Sequence, residues 1–409
     1  MLSFEKALEL VTKNSKPIGT KIIPLNKSLG YVLSESLKSR YNIPLFDNSS
    51  VDGYGVRISD IKKASENSPV KLKLIKEIKA GDFSDYKLKT GEALKIFTGA
   101  MVPKSVDSVV MKEYSVIKNG HVYLNKDTSK RENIRAEGEE FKKNSVILTK
   151  GTRLTPPILG LIATLGYSKI KVYLKPKVSI IVTGSELIRP GVKLGKGKIY
   201  DSNSFAIAAC LQKAGIQDIN IIHVKDKKDK IKNEIKKALN HSDIIITLGG
   251  ISVGDYDFVK DVLKELKVKT FFTKVSMKPG KPNYFGIYRK KRKNLIFGLP
   301  GNPVSALVSF HQFIRPALLK IMGTKTFYNL YLNAVLDTDL KKDSPRLEFI
   351  RGYIKQKNGS LLACPTSGQG SHMLGGIAGA NCLIYFPWEK NFLRKGEKVK
   401  VDLLSWTFQ

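Results

Sequence analysis

The sequence has few cysteines and histidines and no long apolar run. Its three cysteines, Cys210, Cys364 and Cys382, lie far apart, which argues against a disulfide framework or a CxxC site and favours buried apolar residues in a reducing compartment. The five histidines show no HExxH or HxxxH pairing, which argues against a dedicated zinc site. A metal ion bound here is therefore expected to have oxygen ligands.

The sequence also lacks a segment that could enter a membrane or direct export. No stretch approaches the ~18 consecutive apolar residues of a membrane span. Near the N-terminus, Phe4, Ala7, Leu8 and Val11 recur at helical spacing with charged residues between them. This pattern predicts an amphipathic helix rather than a secretion signal, so we expect a cytoplasmic protein without a membrane partner.

Acidic residues are scarce relative to basic ones. The chain has 36 Asp and Glu against 70 Lys and Arg, giving a formal net charge of +34, which could indicate a nucleic-acid partner. However, the lysines are scattered along predicted helix faces such as 225–237, without interleaved aromatic residues, and the densest run, Arg289 to Lys293, fits a hairpin turn. We therefore favour a solvated basic surface over a nucleic-acid interface.

The pattern of residues 175–325 predicts a doubly wound α/β domain. Short β-branched runs alternate there with helical segments, as in a parallel sheet with crossover helices. Helices are expected from about Asn203 or Ser204 to Gly215, from Asp226 to Asn240, from Tyr256 to Leu266 and from Pro303. The predicted strands are Val178–Thr183, Ile219–Val224, Ile244–Leu248 and Leu295–Gly298.

The rest of the chain divides into three further predicted domains, since 409 residues exceed what one core usually serves. Residues 46–139 are rich in glycine and short strands, which predicts a mostly β insert. Residues 1–45 and 140–174 flank the insert, and helical periodicity over 1–35 and 155–166 predicts an elongated helical linker domain. Residues 326–409 alternate again and predict a small C-terminal β-barrel. The predicted fold class is thus multidomain α/β.

The residues that could carry chemistry follow the predicted strands of the α/β domain. Ligands of open α/β sheets bind outside the carboxyl ends of the strands, where glycines permit close approach to anions and acids can hold a divalent cation. Each motif alone could be a helix cap. However, Glu186, Asp226 and Asp257 are all expected at the same edge of the sheet, which independent helix caps would not require. We therefore predict a ligand-binding site there. The segments involved are TGSEL (183–187), the end of 219–224, GGISVGDYD (249–257) and GLPGNP (298–303).

Two common nucleotide motifs are missing: the Walker A pattern and the dinucleotide GxGxxG fingerprint. A generic nucleoside triphosphatase or dehydrogenase therefore gains no support.

An ordered series of motifs resembles the molybdopterin molybdenumtransferases, a family related to the C-terminal region of gephyrin. The series continues through Arg346 to Gly352 and Gly368 to His372, so it covers nearly the whole chain. Its members are NSSVDGY (48–54), IFTGA (96–100) with Pro103, RAEGEE (135–140), TGSEL, GGISVGDYD, KPGKP (278–282) and GLPGNPVSA (298–306).

The resemblance implies four domains and a homodimer whose active site joins the α/β domain of one subunit to the β insert of the other. It also implies the reaction. Molybdate is inserted into adenylylated molybdopterin with Mg²⁺, the pyrophosphate link is cleaved and AMP is released. A molybdopterin adenylyltransferase is the expected donor of the substrate.

Charge considerations suggest how the site residues divide the work. Molybdate and the pterin substrate are both anionic, so carboxylates must act through Mg²⁺ or by positioning water, while cations and backbone N–H groups hold the oxyanions. The predicted acids are Asp52, Glu140, Glu186, Asp226 and Asp257, of which Glu186, Asp226 and Asp257 are the expected metal ligands. The predicted substrate-binding residues are Thr98, Gly99, Gly249, Gly250, Ser252, Gly254, Lys274, Lys278, Lys281, Pro300, Gly301, Asn302, Pro303, Arg351 and Ser371. Lys278 and Lys281 could instead be surface residues.

The chain departs from the family pattern at several positions. Ser185 stands where aspartate is usual, Glu140 replaces a common aspartate, and Ser50 and Val51 stand in place of alanine and methionine. The first two changes could weaken metal affinity without changing the reaction class.

Two other functions deserve comparison. The α/β domain alone is shared with molybdopterin adenylyltransferases and with a competence-damage-type nucleotide pyrophosphatase, which lack the preceding segments and the terminal barrel. A pterin-binding carrier or scaffold would need oxyanion donors but has little use for several converging carboxylates.

Overall fold

The computed structural model describes residues 1–251, 258–290 and 292–407, which fall into two compact units. The first unit comprises Met1–Ser34, Gly151–Thr155 and the chain from Lys169 onward, and the second, called here the insert unit, comprises Glu35–Lys150 and Pro156–Ser168. Among the helices of the described ranges, none has the length and apolar character of a membrane span.

A six-stranded sheet forms the centre of the first unit. Four neighbouring strands are parallel, and two antiparallel strands complete one edge. In order across the sheet they are Ile219–Val224, Val178–Thr183, Ile244–Leu248, Lys293–Leu299, Pro282–Arg289 and Lys269–Lys274. The first three match the predicted strands residue for residue, while the antiparallel edge was not predicted. The two ends of the basic run, Arg289 and Lys293, pair across antiparallel strands, which agrees with the predicted hairpin.

Helices cover both faces of this sheet, which confirms the doubly wound class. One face packs against four helical segments: Phe4–Asn14, Asn203–Lys213, Pro303–Ser309 and Arg315–Ile321. The other face packs against Lys228–His241 and Phe258–Glu265. The central strand has Ile244, Ile245 and Ile246 at 0% exposure, as expected for a parallel strand buried on both sides. The last helix of the α/β domain has three consecutive parts: Pro303–Ser309, a π-helical turn Phe310–Ile314, and Arg315–Ile321.

The predicted C-terminal barrel is present and closed. Five strands pair in a ring, and the short strand Met277–Lys278 adds to it in parallel with Leu347 and Glu348. The ring comprises Leu347–Lys357, Ser360–Pro365, Tyr331–Leu336, Lys398–Leu403 and Cys382–Phe386. Helix Leu374–Ala378 and the antiparallel pair Leu340–Lys341 with Phe392–Leu393 complete this region.

The linker is less helical than predicted. Helices occur at Phe4–Asn14 and Pro156–Thr164, but Thr20–Pro24 pairs antiparallel with Lys169–Tyr173. The helical prediction for the whole of residues 1–35 was therefore wrong. In Lys169–Tyr173 the side chains alternate between exposed and buried, which is the period of a strand and not of a helix. A short 3₁₀ turn, Leu25–Lys27, follows the first of these strands.

The insert unit is mostly β, as predicted. Its six-stranded sheet runs in the order Ser108–Met111, Gly53–Val56, Glu92–Ile96, Val70–Ile78, His121–Leu124 and Ser115–Lys118. Two further pairs join Asn48–Ser49 to Ile134–Arg135 and Leu37–Lys38 to Val146–Leu148. The helix Ile58–Ile61 and the 3₁₀ turn Lys112–Tyr114 complete the unit with Pro156–Thr164.

Candidate active site

A cavity of about 660 Å³ opens at the carboxyl edge of the parallel strands, where the sequence placed the site. The loops that follow three neighbouring strands contribute to its wall, because the ends of parallel strands meet at one edge. Among the residues lining it are Thr183, Glu186, Tyr200, Asp201, Asn203, Gly249, Gly250, Pro300, Gly301, Asn302, Pro303, Ser305 and His372.

Two predicted acids come from adjacent strand ends. The backbone N–H of Ser185 donates to Oδ2 of Asp226 at 2.7 Å, which ties the loop after the first strand to the loop after its neighbour. Glu186 is exposed and lines the cavity beside this contact. Lys198 donates from Nζ to the carbonyl oxygen of Ser185 at 2.6 Å. The structure thus joins the segments that carry Glu186 and Asp226.

Carboxylates such as those of Glu186 and Asp226 are ligand types that a hard cation prefers. Mg²⁺ is commonly held by one or two carboxylates, with water and substrate phosphates as its other ligands. Across the described residues, no cluster of three or more His, Cys, Asp or Glu side chains is placed to hold a metal ion by protein groups alone. The third predicted ligand, Asp257, lies outside the described residues, as do Ser252 and Gly254.

The two glycines that follow the strand Ile244–Leu248 allow the backbone to pack closely against its neighbours in the cavity wall. Gly249 has φ +85° and Gly250 has φ +64°, a region that residues with a side chain rarely adopt. A Cβ on Gly250 would lie 2.5 Å from Cγ2 of Val259. Gly249 donates its N–H to the carbonyl oxygen of Leu299, so it links this loop to the end of the neighbouring strand.

The GLPGNP loop connects the α/β domain to the barrel. Asn302 precedes the helix that begins at Pro303 and donates from Nδ2 to Oγ of Ser371 at 2.9 Å. The N–H of Val304 donates to the carbonyl oxygen of Ser371. Gly301 is exposed, and a Cβ there would have no atom within 4 Å, so a ligand can approach its backbone.

A second cavity of about 460 Å³ adjoins the first and shares Pro282, Asn302 and Ser305 with it. Its wall includes four cationic side chains and one carboxylate, together with Gln369 and Ser371; the charged residues are Lys278, Lys281, Arg346, Arg351 and Glu348. Four of the predicted oxyanion-binding residues, Lys278, Lys281, Arg351 and Ser371, are therefore brought together.

Arg351 is held rigidly in this wall. It is 1% exposed, and its Nη2 donates to the carbonyl oxygens of Gly368 at 2.8 Å and Gly370 at 3.3 Å. Burial lowers the pKa of this guanidinium. Its Nε is buried and has no hydrogen-bond partner among the described residues, so a donor is left for an anion.

The two predicted lysines of the KPGKP segment differ in their contacts. Lys278 donates from Nζ to Oε1 of Glu348 at 3.1 Å, and Glu348 is only 4% exposed. Lys281 is exposed on the rim of the same cavity. Lys274 ends the strand Lys269–Lys274 and is also exposed, but it lies outside the sets of residues that line the two cavities.

In the insert unit, Asp52 and Thr98 form a hydrogen-bonded pair. Oδ1 of Asp52 accepts from the backbone N–H of Thr98 at 2.9 Å and from its hydroxyl at 2.8 Å, and Lys112 approaches Oδ2 at 3.3 Å. These contacts hold the pKa of Asp52 below its usual range, with the backbone donor as the largest cause. Gly99 donates its N–H to the carbonyl oxygen of Ser49, and Glu140 is exposed.

Sequence reasoning missed the polar run Tyr200 to Asn203, which lines the larger cavity. Asp201 is 1% exposed and accepts from the backbone N–H and hydroxyl of Ser204. Nε2 of His223, a residue of the strand Ile219–Val224, lies 2.9 Å from Oδ2 of Asp201. The available signal was the unbroken polar sequence before the helix, of which only Asn203 was considered, as a possible start of the helix.

Family models match the chain along its length: "MoeA N-terminal region (domain I and II)" over 2–166, "Probable molybdopterin binding domain" over 179–320, and "MoeA C-terminal region (domain IV)" over 333–404. The molybdopterin molybdenumtransferase of Haemophilus influenzae is 35% identical over 390 residues, which is 94% of each chain. The chain belongs to the molybdopterin molybdenumtransferase family.

Further relatives are similar to this chain over nearly its whole length. That of Bacillus subtilis is 34% identical over 404 residues, covering 98% of this chain and 93% of the relative. A crystal structure of the molybdopterin biosynthesis moeA protein of Pyrococcus horikoshii superimposes with a TM-score of 0.82 at 31% identity, covering 99% and 100% of the two chains. The chain is therefore a transferase of molybdenum cofactor biosynthesis that acts on molybdopterin.

Full-length membership of the molybdopterin molybdenumtransferase family also decides between the earlier alternatives. Matches to the N-terminal and C-terminal family regions account for the segments that adenylyltransferases and the competence-damage-type pyrophosphatase lack. A carrier without catalytic activity is disfavoured because the curated relatives are named as transferases.

Proposed function

We propose that the chain inserts molybdate into adenylylated molybdopterin in a Mg²⁺-dependent reaction that cleaves the pyrophosphate link and releases AMP. The observation that carries this proposal is the pair of adjoining cavities with different linings. One has glycine loops and carboxylates, the other has four cationic side chains against one carboxylate, and they share a wall at Asn302 and Ser305.

The larger cavity suits the nucleotide and pterin parts of the substrate. Its glycine loop and the exposed backbone of Gly301 allow close approach by a phosphate. The smaller cavity suits molybdate, because a dianion is stabilised by Lys278, Lys281 and the unpaired Nε of Arg351.

Glu186 and Asp226 would hold the Mg²⁺ ion, with Asp257 as the predicted third ligand. Bound there, the ion would neutralise negative charge on the cleaved phosphates. The Ser185 N–H fixes the orientation of the Asp226 carboxylate through a backbone contact. Because this contact uses the main chain, it does not require the aspartate that the family usually has at position 185.

The remaining features extend the proposal by family resemblance. We propose a cytoplasmic homodimer, consistent with three free, buried cysteines, in which Asp52, Thr98 and Glu140 of one subunit complete the site of the other. The contacts from Thr98 keep Asp52 ionised and oriented, as a carboxylate that positions water must be. A molybdopterin adenylyltransferase would supply the substrate.

The proposal is tested by AMP release. Full-length protein given adenylylated molybdopterin, molybdate and Mg²⁺ is expected to release AMP only when molybdate is present. Asp226→Asn keeps an acceptor for the Ser185 N–H but loses the charge, so AMP release should fall by about a hundredfold or more. Asp229→Asn, an exposed position three residues along, is the matched control and should retain activity.

Two results would replace the proposal with another function. AMP release that does not depend on molybdate indicates a nucleotide pyrophosphatase. Tight retention of the pterin without any AMP release indicates a carrier.

A further inference from the structure

Asn203 lies at the start of the helix Asn203–Lys213 and lines the larger cavity. Its Nδ2 donates to the carbonyl oxygen of Gly301 at 2.6 Å, which connects the helix to the GLPGNP loop. A carbonyl oxygen can only accept, so the NH₂ of the amide must face Gly301. Oδ1 is therefore the atom left for another partner.

Oδ1 of Asn203 is buried and has no hydrogen-bond partner within the part of the chain that the structure describes. Buried polar atoms in proteins are rarely left without a partner, so an unmatched acceptor beside a large cavity indicates a ligand that donates. The nearby carboxylate of Asp201 is already engaged by Ser204 and His223.

Part of the cavity wall beside Asn203 offers surfaces against which a flat ring can pack. Pro282, Pro300 and Pro303 contribute rings and no backbone N–H to this part of the wall. Ile199 and Tyr200 present apolar side chains that are 56% and 44% exposed. Small-molecule sites commonly combine such apolar surfaces with a few oriented polar groups, and a heteroaromatic ring can use both.

We infer that Asn203 is a specificity-determining residue whose Oδ1 accepts an N–H from the exocyclic amine of a bound purine or pterin. The inference rests on the proposed function, since adenylylated molybdopterin carries such an amine on both its adenine and its pterin. Either ring could donate the N–H, because both carry an exocyclic amine. Pairs of ligands that differ only at this amine show which ring Asn203 binds.

The test is a double-mutant cycle on the full-length protein, with dissociation constants measured by calorimetry. One ligand pair is AMP and purine riboside 5′-monophosphate, which lacks the amine. The other is pterin and lumazine, in which an oxo group replaces the amine. The wild-type protein is expected to prefer the amine-bearing member of one pair by about tenfold. In Asn203→Ala that preference should disappear, and the pair affected identifies the ring.

If Asn203 has only a structural role, Asn203→Ala would weaken the binding of both ligands of a pair equally. The preference for the amine-bearing ligand would then remain. Asn220→Ala, at an exposed asparagine on a strand of the same sheet, is the matched control and should keep the wild-type preference. The inference is overturned if the wild-type protein prefers neither amine-bearing ligand, including through failure to bind any of the four, or if Asn203→Ala retains the preference.

Failure of the proposed function looks different from failure of the inference. A protein that discriminates by the amine but never releases AMP in response to molybdate contradicts the function and leaves the role of Asn203 standing. A protein that releases AMP without this discrimination contradicts only the inference.

Discussion

Asp52 illustrates how neighbouring donors set the charge of a single residue. Its lowered pKa arises first from the Thr98 backbone N–H, then from the Thr98 hydroxyl and Lys112. A lowered pKa favours the folded state above the ordinary aspartate value of about 3.9, and that contribution is lost as the pH falls through the lowered value. Asp52 therefore stays ionised throughout the neutral range.

Thr98→Val should raise the pKa of Asp52 part of the way towards its ordinary value. The substitution removes the hydroxyl donor but leaves the backbone N–H in place. An NMR titration of the Asp52 carboxyl measures the effect, with Thr90→Val, whose hydroxyl contacts Arg57 instead, as the control. A pKa that does not change in Thr98→Val would show that the hydroxyl contact is absent in solution.

Residue types and positions along the chain were enough to predict that the segments carrying Glu186 and Asp226 meet, because strand ends in a parallel sheet lie at one edge. They were not enough for Asn203 or Asp201. Both residues are ordinary helix-start types, and only the three-dimensional contacts with Gly301 and His223 distinguish them from caps.

Among the structural elements, the end of the last α/β-domain helix depends on one glycine. Gly323 has φ +78° and follows the helix Arg315–Ile321, donating its N–H to the carbonyl oxygen of Lys320. A Cβ at this position would lie 2.1 Å from Cδ2 of Tyr173, on the strand Lys169–Tyr173. The helix end therefore packs against the linker strand with no room for a side chain.

Gly323→Ala should lower the free energy of unfolding by about 2 kcal/mol or more, from left-handed backbone strain together with overpacking. Gly191→Ala shares the backbone strain, at φ +87°, but meets no atom within 4 Å, and should cost only about 1 kcal/mol. Urea unfolding of the two variants compares these effects. Equal losses would mean that the contact with Tyr173 is unimportant.

Sequence patterns predicted the elements with strong periodicity and missed those whose pairing depends on distant partners. The strands Val178–Thr183 and Ile244–Leu248 are continuous apolar runs and were placed correctly. Thr20–Pro24 is short and exposed, so its sequence carries little strand signal, and its conformation depends on pairing with Lys169–Tyr173.

For the whole molecule, the proposed shared active site makes a prediction about mixtures. Asp52→Ala and Glu186→Ala should each abolish AMP release alone. If Asp52 of one subunit serves Glu186 of the other, a heterodimer of the two variants contains one intact site. After unfolding and refolding together, an equal mixture should recover about a quarter of wild-type activity. Equal mixing that restores nothing, with heterodimers verified by mass, would place both residues in the same subunit's site.

The net charge of +34 is also a property of the whole molecule. Such a charge attracts the anionic substrates over long range, and added salt screens that attraction.

The central claim is that molybdate binds in the cationic cavity next to the substrate cavity. The most direct measurement is anomalous diffraction on both sides of the molybdenum K edge, from crystals of the full-length protein soaked in molybdate. We predict a molybdenum peak among Lys278, Lys281, Arg351 and Ser371. Peaks found only at other surface lysines, with none in this cavity, would contradict the account.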